Sequence, residues 1–381
     1  MLEDANDLRS RILPLAVVIS DRAEEIELAR EIPDDLVQAL KAAGVFRMCT
    51  ARSRGGLELP LPDALEVIQN LARMDGSIGW TAMIACAGSL FLSLLPQETY
   101  DRVYSEGPDA TIAGSVQPAG KAERAKDGWY ISGRWPFVSG CSHADWMAGF
   151  CIMMDDGTPI VNGDGTSLVR GFVQPARDWS IEDTWHVAGL AGTGSHHIVL
   201  KDSFVPNKNF FSDEGESCLS GALYKSVLES SILVHNAFAV GVAEGALADI
   251  VTLANGGRQQ LHAKTAMSDS EVLRYELGRA AAALNAVKAF HLSEAARHWG
   301  SLLSEKQFDR GYLLRVHQGA AWINEVCTQI VDACFALGGG EVVYNHSPLQ
   351  RRLRDIHVAG QHYAVQRRHY VSAGRLQLEQ A

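Results

Sequence analysis

The chain has 381 residues, 47% of them hydrophobic and 21% charged, which is long for one core and suits two or three tightly joined domains. A formal net charge of −11 with no basic cluster excludes a phosphate-backbone binder, since nothing offers the counterion release that drives nucleic-acid affinity. The seven cysteines lack C-x-x-C spacing, and His143 and His196-His197 show no metal-ligand spacing, so neither a zinc site nor a disulfide framework is signalled.

Residues 1–11 are polar and lack the apolar core of a secretory leader. From Leu8 to about Glu106 the periodicity is helical. Pro33-Asp34-Asp35 supplies a helix start, with Leu36, Leu40 and Val45 following at roughly helical spacing. Asp75-Gly76-Ser77 then breaks the chain before an apolar run. That run, Trp80 to Pro96, is short of a membrane span and carries Gly88, Ser89 and Ser93, so it reads as a buried helix. A cytoplasmic protein with no membrane or nucleic-acid partner is expected.

From about Ala110 to Pro206 short runs such as Trp129–Ser132, Trp146–Ile152 and His197–Leu200 are bounded by Gly, Asp and Pro. With Asp127-Gly128 and Asp156-Gly157 as turn signals, they read as strands. After Ser220 long helices return, over roughly 220–255, 270–299, 305–337 and 350–379. Ser268-x-x-Glu271 forms a capping box for the second and Gly300 ends it. Three domains are expected: helical over 1–108, β over 109–212, and a four-helix bundle over 213–381.

Four motifs give that order a resemblance. Ala113-Gly114-Ser115-Val116-Gln117-Pro118 comes first, then Gly133–Trp146 with Phe137-Val138-Ser139-Gly140 at its centre. Trp185–Ser195 follows, with Phe204-Val205-Pro206 after it. The last is Gly338-Gly339-Gly340 leading to Arg351-Arg352-Leu353-Arg354-Asp355. In this order they resemble the acyl-CoA dehydrogenase superfamily along nearly the whole chain. The resemblance implies a flavin in a slot between β-domain and bundle. Ser139 would face N5 with Phe137 beside the ring, Ser115 and Gln117 on the pyrimidine side, and Trp185 and Ser195 at the other edge. Arg258, often from a neighbouring subunit, would meet the phosphate, and the backbone around Gly339 the cofactor tail.

A dehydrogenase of this family needs a carboxylate over the substrate carbon. The run Arg354-Asp355-Ile356-His357-Val358-Ala359-Gly360-Gln361-His362-Tyr363 has none at the usual place, although Glu229 and Glu244 on an earlier helix stay open. The pattern S-P-L-Q-R-x-x-R-D-x-H-x-x-x-x-H is similar to the two-component monooxygenases of the superfamily. These take FMNH2 or FADH2 from a separate reductase, form a C4a-hydroperoxyflavin with O2, and hydroxylate a small aromatic or polycyclic substrate. That reading makes Ser139, His362 and His357 the catalytic set, Trp80, His235 and Tyr363 the substrate contacts, and a homotetramer the expected assembly. A histidine exchanges protons near neutral pH more readily than a carboxylate. On one continuous helix Asp355, His362 and His369 would share a stripe and His357 would point away. Phenol-hydroxylating relatives carry a His eight residues after this Trp; here that place is Gly88. The alternatives are an acyl-CoA dehydrogenase-like flavoprotein and a non-catalytic flavin-binding scaffold.

Overall fold

The computed structural model describes residues 5–212, 215–260, 263–304 and 308–379. Short helices α1 (Ala5–Ile12), α2 (Leu15–Asp21), α3 (Ala23–Ala29) and α4 (Asp34–Ala43) lead into α5 (Leu61–Met74), α6 (Gly76–Leu92) and α7 (Gln97–Val103). Pro33 and Pro60 stand at the N-caps of α4 and α5, where a missing N–H costs nothing. Asp75 caps α6 by accepting from the Ile78 N–H at 3.1 Å.

Strands follow: β1 (Ile112–Ala125), β2 (Gly128–Val138), β3 (Trp146–Asp155), β4 (Thr158–Pro159), β5 (Val169–Pro175), β6 (Ser180–Glu182), β7 (His196–Pro206) and β8 (Phe210–Phe211). They form one sheet in the order β6-β7-β2-β1-β3-β5-β8, with β4 on β3 and the β1–β3 pair parallel. Asp156 and Gly157 both take positive φ in the turn between β3 and β4, as an Asp-Gly hairpin requires. Trp135 is fully buried at the centre of this sheet's core, its Nε1 donating to the Phe150 carbonyl at 2.7 Å. Room for its indole comes from Gly120, Gly133 and Gly149, where a Cβ would fall within 3 Å of the ring.

The later helices are α8 (Val227–Asn255), α9 (Glu271–Leu303), α10 (Arg310–Leu337), α11 (Pro348–Ala359) and α12 (His369–Glu379). Residues 305–307, where the sequence starts the third of these, lie outside the described residues. Ser270, not Ser268, caps α9 by accepting from the Leu273 N–H, because Ser268 sits in a preceding 3-10 turn; the helix also runs past Gly300 to Leu303. α8 is the longest strongly apolar helix, long and apolar enough to cross a membrane by length and composition. It is apolar all round because α5, α6, α9, α10 and α11 surround it. One continuous apolar core thus spans helices from both ends of the chain, and a second lies in the sheet.

The predicted helix over 350–379 is broken. α11 stops at Ala359, the Gln361 N–H bonds back to the Val358 carbonyl, and a 3-10 turn over Tyr363–Val365 intervenes before α12. No single stripe therefore carries Asp355, His362 and His369.

Candidate active site

The break in the last helix builds one wall of the site. Freed from helical geometry, His362 becomes the cap of the 3-10 turn, its Nδ1 accepting from the Ala364 N–H at 3.3 Å. Its ring stacks on His235 of α8, with centroids 4.3 Å apart. Trp80 of α6 meets both rings edge-on, at 5.5 Å from His235 and 5.8 Å from His362, and Phe238 meets it edge-on as well at 5.2 Å. His317 of α10 bonds the Ala364 carbonyl through Nδ1 at 3.0 Å and stacks on His369, buttressing the turn.

Burial lowers the pKa of His362 to about 4, with the neighbouring His317 adding to the effect; His235 is driven well below its ordinary value for the same reasons, with His362 itself the larger neighbour. Both imidazoles are neutral at pH 7. With Nδ1 of His362 accepting, its ring proton resides on Nε2, so it presents an N–H donor. The expectation of a histidine titrating near neutrality is corrected: a desolvated ring cannot hold the charge.

The second wall is the end of β2. Phe137 takes φ +62° and Gly140 φ +73°, which kinks the strand and leaves the Phe137 ring 66% exposed, edge-on to Trp185 and His197. Ser139 is buried between them. Its Oγ accepts from Trp80 Nε1 at 3.0 Å and lies 2.7 Å from Ser195 Oγ, which lies 2.7 Å from Thr193 Oγ1. Thr193 Oγ1 donates to the Leu190 carbonyl at 2.7 Å. The Gly140 N–H donates to the Thr193 carbonyl at 2.8 Å, clasping the two loops together. Beside Ser139 a cavity lined by Thr81, Ile84, Ala85 and Ile112 holds the unpartnered Thr81 hydroxyl.

These loops hang on Asp355, whose Oδ1 accepts from the Leu190 N–H at 2.6 Å. Burial, then the neighbouring Asp75, pushes its carboxyl up to about 7 from an ordinary 3.8. A carboxyl raised in the folded state stabilises most below its unfolded value, and that stability drains as pH rises through about 7. Asp355→Asn keeps the acceptor for Leu190 without the charge. The variant is expected to gain melting temperature relative to the parent between about pH 5 and about pH 8; a constant difference refutes the assignment.

The remaining predicted residues are spread around and beyond this pair of walls. Ser115 and Gln117 lie on β1 where its register with β3 shifts, between half-buried and exposed. Trp185 is buried, its Nε1 donating to the Leu190 carbonyl at 3.1 Å; it supports Phe137 where the sequence placed it at a ring edge. Ser195, also buried, lies against Ser139. Tyr363 stands at the rim beside His362, at 4.7 Å. Arg258 pairs with Glu341 at 2.7 Å, close to Gly339, whose φ is +66°. His357 is 52% exposed and bonded to Asp332 at 2.8 Å, outside the stacked group. Of the alternative bases, Glu244 is held by Lys288 and Gln69, and Glu229 accepts from Ser226.

Gly88 packs on Ile112, where an added Cβ would lie 2.2 Å from Cγ2. A side chain here is excluded by packing, so Gly88→Ala is expected to cost about 1–3 kcal/mol of stability by overpacking, measured by denaturant unfolding, and to cost less when made in an Ile112→Ala background, which lacks the Cγ2 it would strike. Sequence reasoning missed Thr193, His317 and Phe238 as parts of the site. Thr193 was visible in the Gly189–Ser195 motif, but nothing local shows what a hydroxyl three residues past Leu190 will bond.

The chain is similar to known proteins along nearly its whole length. The acyl-CoA dehydrogenase N-terminal domain matches residues 15–95 and the C-terminal domain residues 233–367. Indole-3-acetate monooxygenase of Pseudomonas putida is 31% identical over 94% of this chain and 90% of its own length. The FADH2-dependent resorcinol hydroxylase oxygenase component of Rhizobium sp. is 29% identical over 94% and 90%. Among solved structures, the HsaA monooxygenase of M. tuberculosis superposes with a TM-score of 0.90 at 28% identity, over 99% of this chain and 98% of that one. XiaF from Streptomyces sp., in complex with FADH2 and glycerol, gives 0.90 at 27% identity, over 97% and 94%.

Proposed function

Because the chain belongs to the flavin-dependent monooxygenase branch of the acyl-CoA dehydrogenase family, we propose that it takes FMNH2 or FADH2 from a separate reductase and, with O2, hydroxylates a small aromatic or polycyclic substrate. The observation that carries this reading is the neutral His235–His362 pair against Trp80, with no carboxylate hydrogen bonded to either histidine among the described residues. Proton abstraction next to a thioester has no base there. Relatives named as oxygenase subunits or components, one of them FADH2-dependent, support the reduced cofactor and the separate reductase.

The residues present fit a flavin ring. Phe137 is a large aromatic left 66% exposed among the described residues, and Ser139 beside it keeps an unused lone pair. Ser115 and Gln117 would hold the pyrimidine edge. Bound reduced flavin supplies two electrons and, with O2, the oxygen atom that is inserted. The chain's own part is to keep water out and position the substrate. His362 presents Nε2–H to an oxygen, and the stacked rings with Trp80 and Phe238 form an apolar wall for a flat substrate. His235, with no hydrogen bond to its ring among the described residues, is a second polar contact for a substrate hydroxyl. Tyr363 flanks the entrance, and His357, on the surface with Asp332, has no part in this reading.

Arg258 supports a multi-copy assembly, here a homotetramer. His235 and Asn255 are twenty residues apart on α8, about 30 Å at 1.5 Å per residue. Arg258 lies beyond, so the phosphate it would meet belongs to a flavin of another copy. Exposed Val272, Tyr275 and Leu292 on α9 give apolar surface for such contacts.

The test is turnover with chemically reduced FMN or FAD, labelled O2, and a panel including resorcinol and indole-3-acetate. Incorporation of one labelled oxygen supports the proposal. Bleaching of bound oxidised flavin by an acyl-CoA, with no labelled product, overturns it.

A further inference from the structure

The hydroxyl row behind Ser139 can run in only one direction. Leu190 offers a carbonyl, which cannot donate, so Thr193 Oγ1 spends its single proton there, at 2.7 Å. The 2.7 Å contact between Thr193 and Ser195 must then be donated by Ser195. Ser195 has no proton left, so the 2.7 Å contact with Ser139 must be donated by Ser139. At the far end the Trp80 indole N–H, a donor only, occupies one lone pair of Ser139 Oγ. Four bonds leave Ser139 with no free proton and one free lone pair.

We propose that Thr193, Ser195 and Trp80 fix Ser139 as an obligate acceptor and thereby make this site discriminate the oxidation state of its flavin. This rests on the flavin reading above. Reduced flavin carries a hydrogen on N5 and donates to that lone pair. Oxidised flavin has only a lone pair on N5 and meets another. To bond it, Ser139 would have to turn its O–H away from Ser195 and leave a buried hydroxyl short of a partner. Thr193 and Ser195 are thus positioning residues: they act through Ser139 and set which form is held. The row is itself anchored, since the Leu190 carbonyl also accepts from Trp185 Nε1 and the Leu190 N–H is held by Asp355. Reduced flavin is the form delivered at the start of turnover and oxidised flavin the form left at its end, so the same row favours loading and release.

The experiment measures dissociation constants of both FMN and FAD, each oxidised and anaerobically reduced, for the parent protein and for Ser195→Ala, Thr193→Val and Thr193→Ser. Removing one hydrogen bond of ordinary strength from the discrimination corresponds to about 3–10-fold. The parent is expected to hold reduced flavin more tightly. Ser195→Ala and Thr193→Val release the Ser139 proton toward N5, so the oxidised-to-reduced ratio falls by about 3–10-fold. The midpoint potential of bound flavin drops with it, by about 30 mV per tenfold. Thr193→Ser keeps the donor and retains the parent ratio. A merely structural effect weakens both oxidation states alike. Unchanged ratios in both disruptive variants overturn the relay while leaving the function standing. Failure of the parent to bind flavin in either state overturns the functional reading and the relay with it.

Discussion

His362→Ala is expected to lower hydroxylated product by about 100-fold or more while changing the affinity for reduced flavin by no more than a few-fold. The ring is partly buried, stacked on His235 and edge-on to Trp80, and with Nδ1 already accepting its Nε2–H is the donor left for a substrate. Its removal deletes both the polar contact and part of the aromatic wall, so substrate orientation and proton handling fail together. His362→Gln, which keeps an N–H donor without a titrating ring, is expected to recover part of the loss. The ring is neutral above about pH 4, so the parent's activity should show no ascending limb near pH 6.5 from this group. A limb there that disappears in His362→Gln would refute the assignment. Stopped-flow binding of reduced flavin and product analysis separate the two effects.

The second large effect is expected from Ser139→Ala. Reduced flavin is still consumed, but the ratio of product to hydrogen peroxide falls by about 10–100-fold, because the hydrogen bond at N5 and the shielding from water are lost together. The variant also leaves Trp80 Nε1 unpaired in a buried place, a stability cost of about 1–3 kcal/mol. Ser139→Thr keeps the hydroxyl and is expected to restore coupling toward the parent. If Ser139→Ala couples as well as the parent, Ser139 has no role at the flavin.

These two residues differ in how they could be found. Ser139 follows a strand, and the Phe-Val-Ser-Gly run marks the kink by its glycine; only the positive φ at Phe137 and the exposure of its ring were hidden. His362 was identified by resemblance, and the helical-stripe argument offered for it rested on a continuous helix that does not exist. The chain breaks at Gly360, and the histidine reaches Trp80 because it caps a 3-10 turn braced by His317. His357, one turn back on α11, stays in solvent because that helix is intact there.

The sequence alone determined the order of helices, strands and helices, the Asp-Gly turn at 156–157, and the membership that its four motifs carry. Local periodicity and turn chemistry are properties of neighbouring residues, so they survive without the fold. Only the tertiary structure decided that helices from both ends share one core around α8, that Asp355 is a buried carboxyl holding Leu190, and that Trp80, Ser139, Ser195 and Thr193 join in one row. Those contacts join segments far apart in the chain. Their protonation and direction follow from desolvation and from single protons shared between partners, which no local pattern records.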